Sequence, residues 1–191
     1  QTVCMVERKY NHMKDKEIFI SVDIESSGPI PGEYSLLSIG ACLLSDPKES
    51  FYTELRPDSQ KHDPEAVAIT GLDLASLTLS GLPPLEAMEQ FNSWINSVSK
   101  PKQQTIFVGF NAPFDWSFIN YYFHKYLGFN PFGFTAIDIK AYYMGLNKCS
   151  WEDTKSSKIV EKLRPHLRNN HNALEDAKFQ AELFSLMLAT D

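Results

Sequence analysis

The stretch that decides the fold is Ile-Phe-Ile-Ser-Val-Asp-Ile-Glu, residues 18–25 of the 191-residue chain. Its β-branched and aromatic residues predict a strand, and strand alternation places residues two apart on the same face. Asp23 and Glu25 therefore project side by side from the C-terminal end of an otherwise apolar strand. Burying two like charges together costs several kcal/mol unless cations or hydrogen-bond donors compensate. The pair is either a solvated strand end or part of a metal site.

A second segment, Val-Gly-Phe-Asn-Ala-Pro-Phe-Asp at residues 108–115, ends in another acid. Residues 105–110 form a near-continuous apolar run, which is typical of a strand buried on both faces. Pro113 suits the first position of a helix, and Asp115 then falls in its first turn. A helix start favours negative charge, so Asp115 is either an ordinary helix-start acid or a ligand. Phe114, beside the acid, is either core or a contact for a nucleotide base.

The third segment, His-Asn-Ala-Leu-Glu-Asp-Ala at residues 171–177, is the most specific of the three. Asn172 is a good N-cap, and Glu175 three residues later predicts a reciprocal capping arrangement. Asp176 lies about one turn into the predicted helix, close to its apolar stripe. Two residues five apart within one helix would diverge by roughly 140°. We therefore place His171 in the preceding loop, where it is free to turn towards the same site as Asp176.

The three segments together supply four carboxylates and one histidine: Asp23, Glu25, Asp115, Asp176 and His171. Carboxylate oxygens are the ligands that hard divalent cations such as Mg²⁺ and Mn²⁺ prefer. Four of them can hold two such ions, and a histidine can transfer a proton near neutral pH. The combination indicates metal-dependent cleavage of phosphodiesters.

In this order, Asp-x-Glu, Asn-x-x-x-Asp and His-x-x-x-x-Asp resemble the DEDD superfamily of 3'-5' exonucleases, in its histidine (DEDDh) subgroup. This is the proofreading-exonuclease and ribonuclease T-like group, whose fold is ribonuclease H-like. Two further matches are Ser26-Ser27-Gly28 and the stretch from Pro64-Glu65-Ala66 to Thr70-Gly71-Leu72. The resemblance runs from about Lys16 to Leu188. The family often has Thr where this chain has Ser26.

The resemblance implies roles for individual residues. Asp23, Glu25 and Asp176 would bind the catalytic metal, with Asp23 bridging to a second ion held by Asp115. His171 would act as general base on the attacking water. The resemblance implies two Mg²⁺ or Mn²⁺ ions per site and release of nucleoside 5'-monophosphates from a 3' end. Substrate-binding positions would be Ser26, Ser27, Gly28, Asn111 and Phe114.

We predict an α/β fold, with a mixed five-stranded sheet whose first three strands are antiparallel, flanked by helices. The predicted strands are 17–24, 35–44, 49–55, 105–110 and 134–138. The predicted helices are 85–98, 113–127, 139–146 and 172–189, and Asp138 is interpreted as a helix cap. Residues 16–191 would form one exonuclease domain. Residues 1–15 would be an N-terminal arm, either ordered or disordered.

Charge is the main objection to a nucleic-acid substrate, because the net charge is −6 and nucleic-acid binders usually show a basic face. The charge is uneven, however. Residues 140–168 hold seven basic residues against three acids, with Tyr142, Tyr143 and Trp151 interleaved. This segment is either a stacking surface for unpaired bases or a solvated loop. The basic residues are Lys140, Lys148, Lys155, Lys158, Lys162, Arg164 and Arg168.

Location and partners follow from simpler features. No apolar run is long enough to span a bilayer, so no membrane association is expected, and no signal peptide is visible. Cys4, Cys42 and Cys149 show no paired spacing, which favours a reducing cytoplasm. The expected partner is the 3' end of a single-stranded DNA or RNA. A homodimer and a polymerase-associated complex both stay open.

Two other functions are compatible with these residues. One is a catalytically inactive nucleic-acid-binding or scaffold module of the same fold. The other is a phosphodiesterase that acts on small nucleotides. Intact carboxylates and His171 argue against the first, because a degenerate member is expected to lose some of them.

Overall fold

The structure is a computed structural model and describes residues 16–189, so the predicted arm at residues 1–15 lies outside the described residues. Its strands are β1 (Glu17–Ser26), β2 (Leu36–Leu43), β3 (Ser50–Glu54), β4 (Gln104–Gly109) and β5 (Ala136–Asp138). Its α-helices are α1 (Pro64–Thr70), α2 (Leu74–Ser80), α3 (Pro84–Val98), α4 (Pro113–Leu127), α5 (Ile139–Asn147), α6 (Ser156–Leu163) and α7 (Ala173–Leu188). None of the helices in this part of the chain is long and apolar enough to cross a membrane.

The five strands form one mixed sheet in the order β3-β2-β1-β4-β5. The pairs β1–β2 and β2–β3 are antiparallel, whereas β4 and β5 run parallel to β1. The predicted fold class is confirmed. Because β1 is central and parallel to β4, the C-terminal ends of both strands meet at one edge of the sheet. Asp23 and Glu25, at the end of β1, and Asp115, which follows β4, therefore lie at the same edge.

The two faces of β1 pack against different helices. Ile20, Val22 and Ile24 are buried on one face, in a core that α3 and α4 complete. On the opposite face, the Ser21 hydroxyl donates to the carbonyl of Ala177 in α7 at 2.8 Å. Asp23 and Glu25 share the face of Ser21 by strand alternation. The strand thus directs its two acids towards α7.

Gly40 of β2 lets α7 approach the sheet closely. A Cβ atom at Gly40 would lie about 2.1 Å from the backbone of Ala173, far inside van der Waals contact. Gly40 is also the direct antiparallel partner of Asp23. The first turn of α7 is consequently pressed against the sheet beside Asp23, a placement that any larger residue at Gly40 would prevent.

The α7 helix begins as predicted, but its capping differs in one detail. The Asn172 side chain accepts from the backbone N–H groups of Leu174 and Glu175 at 3.2 Å, so Asn172 is the N-cap. Glu175 does not complete the reciprocal bond. The backbone N–H of Asn172 donates instead to the side chain of Asn170, and Glu175 pairs with Lys178.

Two predicted segments differ from the structure. The last strand starts at Ala136 rather than at residue 134, and the Phe134 side chain is 90% exposed, so its apolar character does not mark a buried strand. No helix was predicted between residues 147 and 171, but the structure has a 3₁₀ helix at Trp151–Thr154 and the helix α6 there. Ile159 of α6 is fully buried, which explains why this basic segment is folded.

Candidate active site

Asp23 and Glu25 lie half-buried at the C-terminal end of β1. The pairing of β1 with β2 shifts register between Glu25 and Ser26, so the regular ladder ends at this point. One oxygen of Asp23 accepts a hydrogen bond of 2.5 Å from the amide Nε2 of Gln180 in α7. The predicted side-by-side projection of the two acids is therefore found, with α7 across from them.

Asp176 occupies the first turn of α7 and is only 2% exposed. Its two carboxylate oxygens accept from the backbone N–H groups of Asn170 and His171, at 2.8 and 3.1 Å. These bonds hold the loop before the helix against the helix itself. A carboxylate offers about four lone-pair positions, so Asp176 keeps acceptor capacity for a further ligand.

His171 lies in the loop before α7 and has an exposed side chain. Its φ of 61° is in the left-handed region, which turns the chain sharply before Asn172 begins the helix cap. Through this turn, a ring nitrogen of His171 and a carboxylate oxygen each of Glu25 and Asp176 all lie within 4.8 Å of one another. The predicted approach of His171 to the acids is found.

Asp115 reaches the same edge of the sheet from α4. Pro113 is in the first turn of that helix, and the Asp115 side chain is 5% exposed. Its Oδ1 accepts from the backbone N–H of Ile24, between the two acids of β1, at 3.1 Å. Asp138 supports the turn before α4, because it caps α5 and also accepts from the N–H of Ala112. Asp138 is thus a cap, as predicted.

We call Asp23, Glu25, Asp115 and Asp176 the carboxylate cluster. Burial raises the pKa of Glu25 to about 8, with added repulsion from Asp176 and Asp115. Burial also raises the pKa of Asp115 to about 7, although the N–H of Ile24 opposes the shift. The pKa of Asp23 is raised by burial and by the charges of the other three acids, and that of Asp176 by burial. The raised pKa values show that no nearby positive charge among residues 16–189 offsets the burial and mutual repulsion of the four carboxylates.

The donor set fits hard divalent cations. Within residues 16–189, no lysine or arginine forms an ion pair with any member of the carboxylate cluster. Glu25, His171 and Asp176 already offer three ligand atoms at mutual distances that one ion can span. Asp23 and Asp115 add oxygen donors from neighbouring segments. Oxygen-rich sites of this kind suit Mg²⁺, Mn²⁺ or Ca²⁺.

The predicted substrate loop after β1 is built from internal hydrogen bonds. Ser26 and Ser27 are buried, and the Ser26 hydroxyl donates to the carbonyl of Gly28 at 2.8 Å. The Ser27 hydroxyl accepts from the N–H of Ser35 at 2.8 Å. A Cβ at Gly28 would lie 2.1 Å from the ring of Tyr34, so only glycine fits. The two hydroxyl groups shape this loop, and the Tyr34 ring packs directly against Gly28.

Asn111 and Phe114, the other predicted substrate residues, are exposed at the turn between β4 and α4. Asn111 adopts a left-handed backbone with φ of 61°, which asparagine tolerates better than most residues. The Phe114 ring lies 5.4 Å from that of Phe118, which is fully buried. Phe114 is thus anchored on the core while part of its ring faces solvent beside Asp115.

Gln180 is the site residue that the sequence interpretation missed. It lies on α7 four residues after Asp176, which puts both side chains on one face of the helix. The signal was present, because a polar residue interrupts the apolar stripe one turn beyond a candidate ligand. Nothing in the sequence showed its partners, which are Asp23 of β1 and the backbone of Phe110.

The basic segment at residues 140–168 offers less free charge than its composition suggests. Lys155 and Lys158 each form an ion pair with an acid of the same segment. Tyr143 is buried and is not available for stacking. Lys140 lies 4.4 Å from the ring centroid of Trp151, an exposed aromatic residue. Of the predicted stacking surface, this pair is the part best placed to contact a ligand.

Comparison with known proteins agrees with this geometry. Residues 18–188 match the Rv2179c-like 3'-5' exoribonuclease domain. The chain is 56% identical, over 173 residues, to the 3'-5' DNA exonuclease Cap18 of Escherichia coli, covering 91% of this chain and 92% of that protein.

Two solved structures share the fold at 16% sequence identity. The nuclease domain of 3'hExo, a DEDDh family member bound to rAMP, matches with a TM-score of 0.73 over 91% of this chain and 92% of that one. E. coli Exonuclease I in complex with a dT13 oligonucleotide matches with a TM-score of 0.72 over 92% of this chain and 41% of that one. The predicted ribonuclease H-like fold and the resemblance are confirmed. The chain belongs to the Rv2179c-like 3'-5' exoribonuclease domain family and is a 3'-5' exonuclease.

Proposed function

We propose that this exonuclease removes nucleoside 5'-monophosphates from the 3' ends of single strands, with two divalent cations bound at the carboxylate cluster. The observation that carries the proposal is the convergence of Glu25, Asp176 and His171, whose ligand atoms lie within 4.8 Å of one another. Glu25 lies at the end of β1, whereas His171 and Asp176 lie just before and within the first turn of α7, about 150 residues later in the chain. A structural role for such a group of buried like charges would require cationic partners, which the cluster does not have among residues 16–189.

The family pattern and the donor chemistry assign the metal ligands. Asp23, Glu25 and Asp176 would hold one cation, and Asp115 together with Asp23 would hold the second. Mg²⁺ and Mn²⁺ are the ions that an all-carboxylate set favours. When bound, such cations offset the charge that builds up at the scissile phosphate and lower the pKa of an attacking water.

The protein supplies proton transfer and alignment. His171 is exposed and close to Glu25 and Asp176, so its imidazole can take a proton from the water that attacks phosphorus. Asp176 fixes the backbone of that histidine through the 3.1 Å bond from its N–H. Phe114 presents its partly exposed ring beside Asp115, where it can stack on the terminal base. The P–O3' bond to the rest of the strand breaks as the water oxygen bonds to phosphorus, and the released 3' oxygen takes a proton from solvent. No covalent enzyme intermediate forms.

The preferred polymer in this proposal is single-stranded DNA. The relative at 56% identity is named as a DNA exonuclease and aligns along nearly its whole length, whereas the family as a whole is described as exoribonucleases. A paired terminus must fray before its last phosphodiester reaches the cluster, so single strands should be cleaved fastest. The net charge of −6 favours weak binding to short ends over high processivity.

The test is a time course on single-stranded DNA and RNA of the same sequence, labelled at the 5' end, with Mg²⁺ or Mn²⁺. We expect a ladder that shortens one nucleotide at a time, faster on DNA than on RNA, and no product with a chelator. Circular single-stranded DNA serves as the control for internal cleavage and should stay intact. Cutting of the circle, or release that starts from the 5' end, would contradict the proposal.

The same assay separates the two rival functions. A binding or scaffold module would retain the labelled strand in a gel shift but leave its length unchanged. A phosphodiesterase for small nucleotides would hydrolyse a dinucleotide or cyclic nucleotide while sparing the long strand. Cytoplasmic location, a homodimer and a polymerase-associated complex stay predictions, and size-exclusion chromatography with light scattering tests the dimer.

A further inference from the structure

Gln180 carries an inference beyond the residues that the sequence motifs supply. Its side chain is 3% exposed and lies one helical turn after Asp176. Both polar atoms of its amide are used. Oε1 accepts from the backbone N–H of Phe110 at 3.0 Å, and Nε2 donates to Oδ1 of Asp23 at 2.5 Å. A single buried side chain thus joins α7 to the end of β4 and to the acid of β1.

The orientation of this amide follows from its partners. A backbone N–H can only donate, so the atom of Gln180 that faces Phe110 must be the oxygen. The NH₂ group must then face Asp23, whose carboxylate accepts the bond. One oxygen of Asp23 is therefore committed to Gln180, and rotation of the carboxylate about its Cβ–Cγ bond would break that bond. The other oxygen points in one fixed direction.

A neutral donor has a specific advantage at this position. A lysine or arginine would also orient Asp23, but its charge would cancel that of the carboxylate and repel a divalent cation. An apolar residue would leave the carboxylate free to rotate. Glutamine holds Asp23 in place and leaves its full negative charge available.

We propose that Gln180 is a positioning residue that fixes the Asp23 carboxylate in the orientation required to bind a catalytic divalent cation. The inference rests on the proposed function, because it takes Asp23 as a metal ligand. Gln180 acts through Asp23 and needs no contact with the cation or the nucleic acid. Hydrogen bonds that orient ligands in this way are typically worth about 10–100-fold in metal affinity or activity.

The test compares Gln180→Met with Ser21→Ala as a matched control. Methionine keeps the length and approximate volume of glutamine but makes neither hydrogen bond. Ser21 is also fully buried and joins the same strand to the same helix, through its 2.8 Å bond to the carbonyl of Ala177, without touching Asp23. Each variant should lower Tm by a few degrees, roughly the shift for losing one buried polar contact in a chain of this size.

The two variants should differ in metal binding. In calorimetric titration of the metal-free protein with Mn²⁺, Gln180→Met should raise the dissociation constant by about 10–100-fold, and Ser21→Ala should leave it unchanged. On labelled single-stranded DNA at saturating Mn²⁺, kcat of Gln180→Met should fall while KM changes little. If Gln180→Met does not fold, Gln180→Asn replaces it, since this shorter amide cannot span both partners.

Four outcomes are decisive. Weaker Mn²⁺ binding in the Gln180 variant alone supports the positioning role. Wild-type Mn²⁺ affinity and kcat in the Gln180 variant overturn it, as do equal losses of affinity in the Gln180 and Ser21 variants. A wild-type protein that binds Mn²⁺ but cleaves neither polymer removes the proposed function. The positioning role is then judged on the Mn²⁺ affinities alone.

Discussion

Asp58 and the four acids of the carboxylate cluster all have partly or fully buried side chains, but their hydrogen-bond partners differ. Asp58 has a cationic partner, whereas the acids of the cluster have only neutral ones among the described residues. The Asp58 side chain is 17% exposed and accepts from the hydroxyls of Tyr122 and Tyr126 at 2.6 and 2.7 Å. The ammonium group of Lys125 lies 2.9 Å away. Burial by itself would raise the pKa of Asp58, yet these three partners outweigh it and lower the pKa. The negative charge of Asp58 is therefore compensated by partners within the protein.

The negative charge of the carboxylate cluster is not compensated by a lysine or arginine among residues 16–189. Its donors are neutral, namely the amide of Gln180 and backbone N–H groups, and they leave the pKa values of all four acids raised. An acid paired with a cationic side chain stabilises the fold. Acids that have only neutral donors favour binding of an external cation. In the metal-free state their mutual repulsion destabilises the fold. Asp58 thus has a cationic partner within the fold, whereas the four acids of the carboxylate cluster have only neutral hydrogen-bond partners among the described residues.

The largest expected effect is that of Asp23→Asn. The change keeps the shape of the side chain but removes one negative charge, so most Mn²⁺ binding and nearly all turnover should be lost. The loss of activity should exceed the roughly 10–100-fold cost of removing an outer hydrogen bond. The metal-free fold should survive, because like-charge repulsion within the cluster falls. Calorimetric titration and the labelled-strand assay measure both effects. Unchanged affinity and turnover would refute the assignment of Asp23.

His171→Ala should give the next largest effect. Metal binding rests on the carboxylates and should be largely spared, whereas cleavage should slow by roughly 10²–10⁴-fold, the usual cost of losing a general base. A variant with near-normal rates would show that His171 is a surface residue without a catalytic role.

Asp58→Asn should have the reverse outcome to Asp23→Asn. It removes the charge that Lys125 pairs with and leaves two tyrosine hydroxyls to share one acceptor oxygen. We expect a loss of about 1–2 kcal/mol in the free energy of unfolding, discounted because Lys125 is partly exposed. Mn²⁺ affinity and turnover should match the wild type. Chemical denaturation measures the first quantity. If Asp58→Asn weakened Mn²⁺ binding as strongly as Asp23→Asn, the contrast between the two sites would fail.

The last expected effect is a pH dependence of the stability of the metal-free fold. The folded pKa of Glu25 is raised from its ordinary 4.5 to about 8, so the folded state binds more protons than the unfolded state in this interval. Stability should therefore fall as pH rises from about 4.5 to about 8. Asp58 has the opposite sign, and its contribution is lost only as pH falls through the acidic range. Thermal melts with a chelator should show Tm falling across this interval.

Two controls sharpen the melts. Glu25→Gln should make the fall in Tm smaller, because the amide does not titrate, and Asp115, whose pKa is raised to about 7, should account for part of the fall that is left. Saturating Mn²⁺ should remove the fall or reverse it, because the cation takes the place of the protons. An equal slope in the wild type and in Glu25→Gln would mean that other groups control the pH dependence of stability.

The site was predictable from sequence to the extent that short-range rules operate. Alternation along β1 put Asp23 and Glu25 on one face, and Pro113 and Asn172 marked the starts of α4 and α7. Errors arose where short-range signals do not distinguish environments. Phe134 is apolar but exposed. No helix was predicted for the residues around Trp151 and Ile159, although they form a 3₁₀ helix and α6, with Ile159 fully buried.

The sequence by itself determined the order of the five strands and of four helices, the strand face that carries Asp23 and Glu25, and the resemblance to 3'-5' exonucleases. Each of these rests on residues close together in the chain, or on motifs whose order is visible without a fold. Only the tertiary structure decided that Gln180 holds Asp23, that Asp115 accepts from the N–H of Ile24, and that Gly40 admits the first turn of α7. These contacts join residues that are distant in sequence, and parallel strand pairing and close helix packing bring them together. The number of residues between two positions in the chain does not indicate how close they are in the folded protein.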